Sequence, residues 1–452
     1  MIERLNDFVE KNKKMILDAY EYIWKNPETG YREVKTSKYL EDAFEALGYV
    51  LVRASNIPGF YTVLDTGRPG PEVLVLGELD SLICPTHPDA DPVTGAVHSC
   101  GHCTQPAALL GIAAALKEPG ALDGMCGRIR LCAVPAEELI EVEYRNELKK
   151  QGKIKYYGGK TEFLYRGYFD GVDLAFMVHS SVDRFFVQKG FVGFLIKEAK
   201  YQGVSAHAGG NPAGGRNALY AANAGLASVN AVRETFREKD QVRVHPIITH
   251  GGDAVNAIPE LVKIESYVRA KNFEAIKKTN NKVNRALIGG ALSLGTHIEI
   301  NDMHGYSPLV NDDNMIRLVE DAAHIALPEI PLDADYTEVG YGSTDMGDLS
   351  MIMPCVHPFI PGAEGLDHGN NYRIKDPELA CVGSAKLQVT MLYLLLKNDG
   401  VRAKGILKEA KPTFASKEEF IEYIDTFESE GERIIYNEDG TANVKLYEHM
   451  YK

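Results

Sequence analysis

Apolar positions along the first half of the chain follow two rhythms in turn. Leu40, Phe44 and Leu47 fall on one face of a helix over 36–48. Val73 to Leu76 is a short apolar run that stops at Gly77-Glu78-Leu79-Asp80, which predicts a buried strand. Pro106 to Leu116, rich in Ala and Leu, predicts a helix, and Arg128 to Val134 a second strand ending at Pro135-Ala136-Glu137-Glu138. Leu174 to Val178 predicts a third strand, ending at His179. Strands alternating with helices predict an α/β unit whose mainly parallel sheet is flanked by helices. Ligands bind such sheets beyond the carboxyl ends of the strands. Three polar clusters of this chain fall there.

Between 191 and 304 the rhythm changes. Phe191 to Tyr201 is strand-like, Asn217 to Glu234 helical, Val242 to His250 strand-like, and Leu261 to Arg269 alternates cleanly. Glu274 to Leu287 is helical and His297 to Asp302 is a last strand. The order β-α-β-β-α-β is ferredoxin-like, and it predicts an inserted domain at 190–302. Residues 1–189 and 303–400 then form one discontinuous α/β domain, with helices near 312–325 and 376–397. Residues 401–452 are charged and aromatic-rich, a C-terminal extension to which the pattern assigns no role.

Two domains also suit the length of 452 residues. Apolar residues at 45% and charged residues at 25% are ordinary for a globular chain. The formal net charge of -14 argues against nucleic acid or an anionic membrane as partner, because either would repel an acidic surface. A small anionic substrate is compatible with it, since a pocket can oppose the global sign. Residues 1–20 lack the basic start and apolar stretch of a signal peptide. No uninterrupted apolar run reaches roughly 18 residues, the length that spans a membrane. Seven scattered cysteines do not make a disulfide scaffold at this length, so the expected compartment is the cytoplasm.

The segment His98-Ser99-Cys100-Gly101-His102-Cys103 admits three readings. Cys-x-x-Cys at a helix start is a thiol–disulfide redox motif, since a helix N-terminus lowers a thiol's pKa. A buried cysteine pair with a satisfied core histidine is the plainer reading. In the third, Cys100 and His102 are metal ligands, thiolate and imidazole both suiting zinc. Other clusters favour the third. The adjacent carboxylates Glu137 and Glu138 repel each other unless a cation or a proton separates them. His179 closes an apolar strand, and His368 stands among small and polar residues in 365–371.

In this order the motifs resemble those of the co-catalytic zinc aminoacylase, carboxypeptidase and amidohydrolase family, peptidase family M20, and within it the aminobenzoyl-glutamate hydrolases and related dipeptide hydrolases. Residues 26–33 resemble an early Pro-Glu-Leu-Gly stretch, and 98–102 the Cys-Gly-His metal motif. Pro135-Ala136-Glu137-Glu138 is similar to the paired-glutamate motif. Val204-Ser205-Ala206-His207 and Gly251-Gly252 through Asn256 to Arg269 resemble motifs of the lid domain. Gly342-Ser343-Thr344-Asp345 resembles a late signature of the aminobenzoyl-glutamate branch.

The resemblance implies a catalytic α/β domain with an inserted lid and dimerisation domain. Two divalent ions, zinc or else manganese or cobalt, would be held by Cys100, His102, Glu138, His179 and His368. Glu137 would be the general base, and His207 would reach the partner subunit's active site to stabilise the oxyanion, which requires a homodimer. Asn256 and Arg269 would hold the substrate's carboxylate. The implied reaction is hydrolysis of the amide of an N-acyl or N-aroyl amino acid or dipeptide. A non-catalytic binding protein on the same fold is the competing class.

Two departures stand out. Cys103-Thr104-Gln105 follows the metal motif where an aspartate is common, and Glu78-Leu79-Asp80 replaces a His-x-Asp ligand pair, which puts Asp80 behind the ligands. The interval 139–172 reads as an insertion that lines or caps the pocket. Neither the acyl group nor the native metal is legible.

Overall fold

The computed structural model describes residues 1–446, which divide into two compact units. The first comprises Met1–Gly190, Leu309–Val339 and Asp345–Lys417. Its six-stranded sheet runs, edge to edge, Val52–Arg53, Phe60–Asp65, Arg128–Val134, Glu72–Glu78, Leu174–Phe176 and Cys355–Val356. The last four are mutually parallel, while the first two form an antiparallel edge. Glu72–Glu78 is buried at every position, as a central parallel strand must be.

The helix predicted over 106–116 spans Thr104–Lys117 and is buried from Thr104 to Leu116, which explains its composition: it has no wet face. It lies so close to the central strand that a Cβ on Gly77 would stand 3.2 Å from the Gln105 carbonyl oxygen. The helix Asp313–Ala326 is capped by Asp312, whose side chain accepts from the Asn314 and Met315 N–H groups at 2.9 and 3.1 Å.

Two expectations for this unit need correction. The run ending at His179 is not one strand: the central sheet takes Leu174–Phe176, and His179–Ser181 opens a second sheet by pairing in parallel with Phe359–Pro361. The helix expected over 376–397 starts with a π turn at Glu378–Gly383 and runs on to Glu409, interrupted where Asn398, Asp399 and Gly400 turn left-handed. By length and composition Glu378–Glu409 could cross a membrane, but most of it is buried inside the unit, as a core helix is.

The second unit comprises Phe191–Pro308, Gly340–Thr344 and the chain from Glu418. Its antiparallel sheet runs Arg243–His250, Leu261–Ala270, Gly193–Gln202, His297–Tyr306, and the helices Ala218–Val232 and Phe273–Leu294 pack on it. Chain order and sheet order together make the ferredoxin-like arrangement. Leu261–Ala270 alternates between half-buried and buried throughout, the signature of a sheet with one covered face.

Among the described residues, 401–446 do not form a separate body. Residues 401–417 belong to the first unit, and the described chain from Glu418 belongs to the second. Phe420, Ile424, Phe427 and Ile434 are buried there. Ser429 exchanges backbone hydrogen bonds with Asp302 at 3.0 and 2.7 Å, and the Arg433 N–H donates to the Ile298 carbonyl at 2.8 Å. The segment thus covers the edge strand His297–Tyr306, whose backbone groups would otherwise offer a pairing template.

Candidate metal centre

The site grows from loops of the first unit. Glu78 ends the central strand, and Asp80 follows two residues on. After Arg128–Val134 the chain turns sharply. Ala136 adopts φ 59°, and its N–H donates to Glu33 Oε1 at 2.7 Å. That turn presents Glu137 and Glu138 one after the other.

Cys100, Gly101 and His102 lie between the short strand Ala96–Val97 and the helix Thr104–Lys117. Gly101 has φ 86°, and a Cβ there would stand 2.2 Å from Ser180 Oγ and 2.3 Å from the Tyr372 hydroxyl. Only glycine fits between them. His368, at φ 61°, is tied to the same loop by its N–H, which donates to the Ser99 carbonyl at 2.9 Å.

These loops bring the donor atoms together. Cys100, His102 and His179 offer ligand atoms within 4.8 Å of one another, and so do Cys100, Glu138 and His368. His102, Glu137 and Glu138 form a third such group. Cys100 Sγ lies 3.6 Å from His179 Nε2, and His368 Nε2 lies 3.4 Å from Glu138 Oε1. The two groups that share Cys100 contain all five ligands expected from the sequence.

The donor set fits a metal. Glu138 Oε1 is buried without a hydrogen-bond partner, although a carboxylate oxygen removed from water needs a donor or a cation. Asp80 Oδ1 lies 3.1 Å from His102 Nδ1, and Asp80 Oδ2 accepts the Glu138 N–H at 2.7 Å. A proton held on Nδ1 by Asp80 leaves His102 Nε2 bare toward the cluster, the arrangement that orients ligating histidines.

Burial and neighbouring charges shift these donors in different directions. Burial, with the His102 and His357 charges adding, pushes His179 down to about 3 and keeps it the neutral imidazole that ligates. Burial and then the Glu78 and Glu138 charges push the Glu137 carboxyl well above its ordinary range. Burial likewise raises the Cys100 thiol, with Glu138 adding. Burial works against His102, but the Cys100 and Glu78 charges outweigh it and raise its pKa. Bound cations reverse the local charge effects that disfavour ionised ligands. Cys103 is wholly buried in the apolar core, with its thiol pushed up by burial. That is the opposite of a redox-active thiol.

With this geometry in view, the family model for peptidase family M20/M25/M40 matches residues 74–391, well over half of the chain. The chain belongs to that family. Similar proteins include the Xaa-Arg dipeptidase of Mus musculus, 27% identical over 408 residues that cover 86% of this chain and 87% of the relative. One component of the p-aminobenzoyl-glutamate hydrolase of Escherichia coli is also 27% identical, over 65% of this chain and 59% of its own length. A dinuclear metal binding peptidase of the M20 family from Bacillus subtilis shares the fold, with a TM-score of 0.63 at 18% identity, over 86% of this chain and 99% of that structure. As an M20 member the chain is a metal-dependent amidohydrolase or peptidase.

The other residues singled out from the sequence lie in the second unit. The loops at 204–210 and 252–259 meet through the bridge His207–Ala257 and the hydrogen bond from Ala208 N–H to the Asn256 carbonyl, 2.9 Å. His207 and Asn256 are both exposed. His207 Nδ1 accepts the N–H groups of Gly209 and Gly210 at 3.2 and 2.9 Å, which places the proton of the neutral ring on Nε2. Arg269 donates from Nε to His245 Nε2 at 3.1 Å and from Nη1 to Ser343 Oγ at 2.8 Å, with its guanidinium over the Phe194 and Tyr267 rings.

Several residues at the first unit's site carried no assignment. Lys160 pairs with Glu78 and Asp345, all three buried. Arg145 is buried in the 139–172 interval and donates to the carbonyls of Tyr157, at 2.6 Å, and of Glu138. The signals were present as Gly158-Gly159-Lys160 and as Asp345 in the late signature, but neither names a partner.

Proposed function

We propose that this chain hydrolyses the amide bond of an N-acyl or N-aroyl amino acid, or of a dipeptide with a free carboxylate. Two divalent ions would be held by Cys100, His102, Glu138, His179 and His368. The observation that carries this reading is one thiol shared between two donor groups, Cys100 with His102 and His179, and Cys100 with Glu138 and His368. A sulfur common to both groups suits a pair of ions better than a single one. The mixture of thiol, imidazole and carboxylate suits zinc, with manganese and cobalt as alternatives.

When bound, the ions would supply Lewis acidity and an activated water. The chain supplies the rest. Glu137, beside Glu138 and 3.9 Å from His102 Nε2, takes the proton of the attacking water and returns it to the leaving nitrogen. His207, whose Nδ1 is engaged by two backbone N–H groups, presents Nε2–H as an oxyanion donor. Arg269, held by His245 and Ser343, fixes the substrate's carboxylate with Asn256. In this reading His207 serves the partner's site, so the working form is a homodimer. The seven unpaired cysteines suit a reducing cytoplasm.

The relatives named above guide the substrate choice. A screen of p-aminobenzoyl-glutamate, Xaa-Arg dipeptides and simple N-acyl amino acids, run beside metal analysis of the purified chain, tests the proposal. Two ions per chain and chelator-sensitive release of the amine are expected. Protein that carries its ions yet cleaves none of the panel would instead be a binding protein on this fold.

A further inference from the structure

Beneath the donor cluster lies a set of buried charges that the reaction above does not use. Lys160, in the helix Gly159–Tyr165, is 0% exposed, as is Asp345, and Glu78 is 1% exposed. The Lys160 ammonium pairs with Glu78 Oε1 and with Asp345 Oδ1. The Lys160 backbone N–H donates to Asp345 Oδ2 at 2.9 Å. The other Glu78 oxygen accepts Gln105 Nε2 at 2.7 Å and lies 3.3 Å from His102 Nε2. That nitrogen is the one His102 turns to the cluster, because Nδ1 faces Asp80 at 3.1 Å. Glu78, Glu137 and Asp345 offer oxygens within 4.8 Å of one another.

An oxygen 3.3 Å from a ligating nitrogen is close enough to reach the ion which that nitrogen holds. A buried carboxylate seeks the nearest positive charge. Gln105 gives Glu78 a hydrogen bond but no charge, so among the described lysines and arginines it is Lys160 that pairs with the anion, ahead of the histidines around it. Its compact ammonium can meet Glu78 and Asp345 together, a task suited to lysine's point charge. We propose that Lys160 is a positioning residue whose ammonium keeps Glu78 out of the coordination sphere of the ion at His102, leaving Glu137 as the carboxylate that faces the water. The proposal rests on the two-ion reading.

The test uses the full-length protein loaded with cobalt(II). Lys160→Met frees Glu78 and adds a ligand. Cobalt should then bind more tightly, by about tenfold or more, while kcat falls for the best substrate of the screen above. KM should hardly move, and the visible cobalt absorption should weaken as the coordination number rises. Glu78→Gln in the Lys160→Met background should restore the wild-type spectrum and affinity, and Lys160→Arg should keep them. Weakened cobalt binding in Lys160→Met without rescue by Glu78→Gln, or no change in affinity or spectrum, overturns the proposal. If Lys160→Met does not fold, Glu78→Gln alone decides: both ions retained supports a restrained non-ligand, and loss of one ion overturns it. Wild-type protein that binds no cobalt at this cluster would remove the two-ion reading itself, an outcome separate from these.

Discussion

Glu137 and Glu138 are neighbours in sequence with different surroundings. Glu138 faces His368 Nε2 at 3.4 Å, and its backbone N–H is held by Asp80, whereas Glu137 is buried beside Glu78 and His102. Glu137→Gln keeps the shape and removes the proton acceptor. It should retain both ions by metal analysis and lose about 10²–10⁴-fold in kcat. Turnover within tenfold of wild type would remove the base assignment. Asp80 touches both His102 Nδ1 and the Glu138 N–H, so it fixes two ligands at once. Asp80→Ala should weaken metal binding about 10–100-fold in a competitive chelator titration. The residue types of this site are legible in the sequence because Cys-Gly-His and paired glutamates carry their chemistry on their face. Lys160 is not, because a lysine after two glycines reads as a solvated surface group until its partners, 82 and 185 residues away in sequence, are seen.

At the scale of elements, strong periodicity predicted well and interrupted periodicity did not. The β-α-β-β-α-β order of the second unit is legible because each strand or helix there carries its own pattern, as Leu261–Ala270 does. The break after Leu174–Phe176 is not, since the apolar run continues to Val178 and only pairing with Phe359–Pro361 shows that His179 opens a new strand. The edge strand His297–Tyr306 carries Asp302, buried in the second unit's core and paired with Lys197 from Gly193–Gln202. Asn280 and Asn284 donate to Asp302 Oδ2 at 2.7 and 2.9 Å. Burial works to raise the Asp302 pKa, but Lys197 and these donors outweigh it, so the folded value lies below the ordinary one. The pair therefore contributes stability above the unfolded pKa of about 4, and that contribution fades as pH falls through the folded value. Asp302→Asn strands a buried ammonium and should cost about 3–5 kcal/mol at pH 7 in urea unfolding. The gap to wild type should narrow below about pH 4, where the unfolded chain's Asp302 takes up a proton that the folded carboxylate still resists. A gap that widens in acid would contradict the assignment.

At the scale of the whole molecule, the division into two units was legible, while the path of the chain between them was not. Residues 340–344 and the chain from Glu418 belong to the second unit through long-range pairing, such as Ser429 with Asp302, that no local pattern announces. The division has a thermodynamic consequence. Every proposed metal ligand, and the buried carboxylates Glu78, Asp80, Glu137 and Asp345 around them, belongs to the first unit. Lys160 pairs with Glu78 and Asp345 of this set, and removing the ions leaves these buried acids crowded together without the charge the ions would supply. Ions present at about a hundredfold over their Kd stabilise the unit that binds them by about 2.7 kcal/mol. For a unit of this size that corresponds to roughly 4–5 °C. Calorimetry of the intact chain should show two transitions, of which chelator lowers one by that amount and leaves the other in place, and restored zinc or manganese should return it. A chelator shift shared equally by both transitions, or absent from both, would show that the ions are not bound within the first unit.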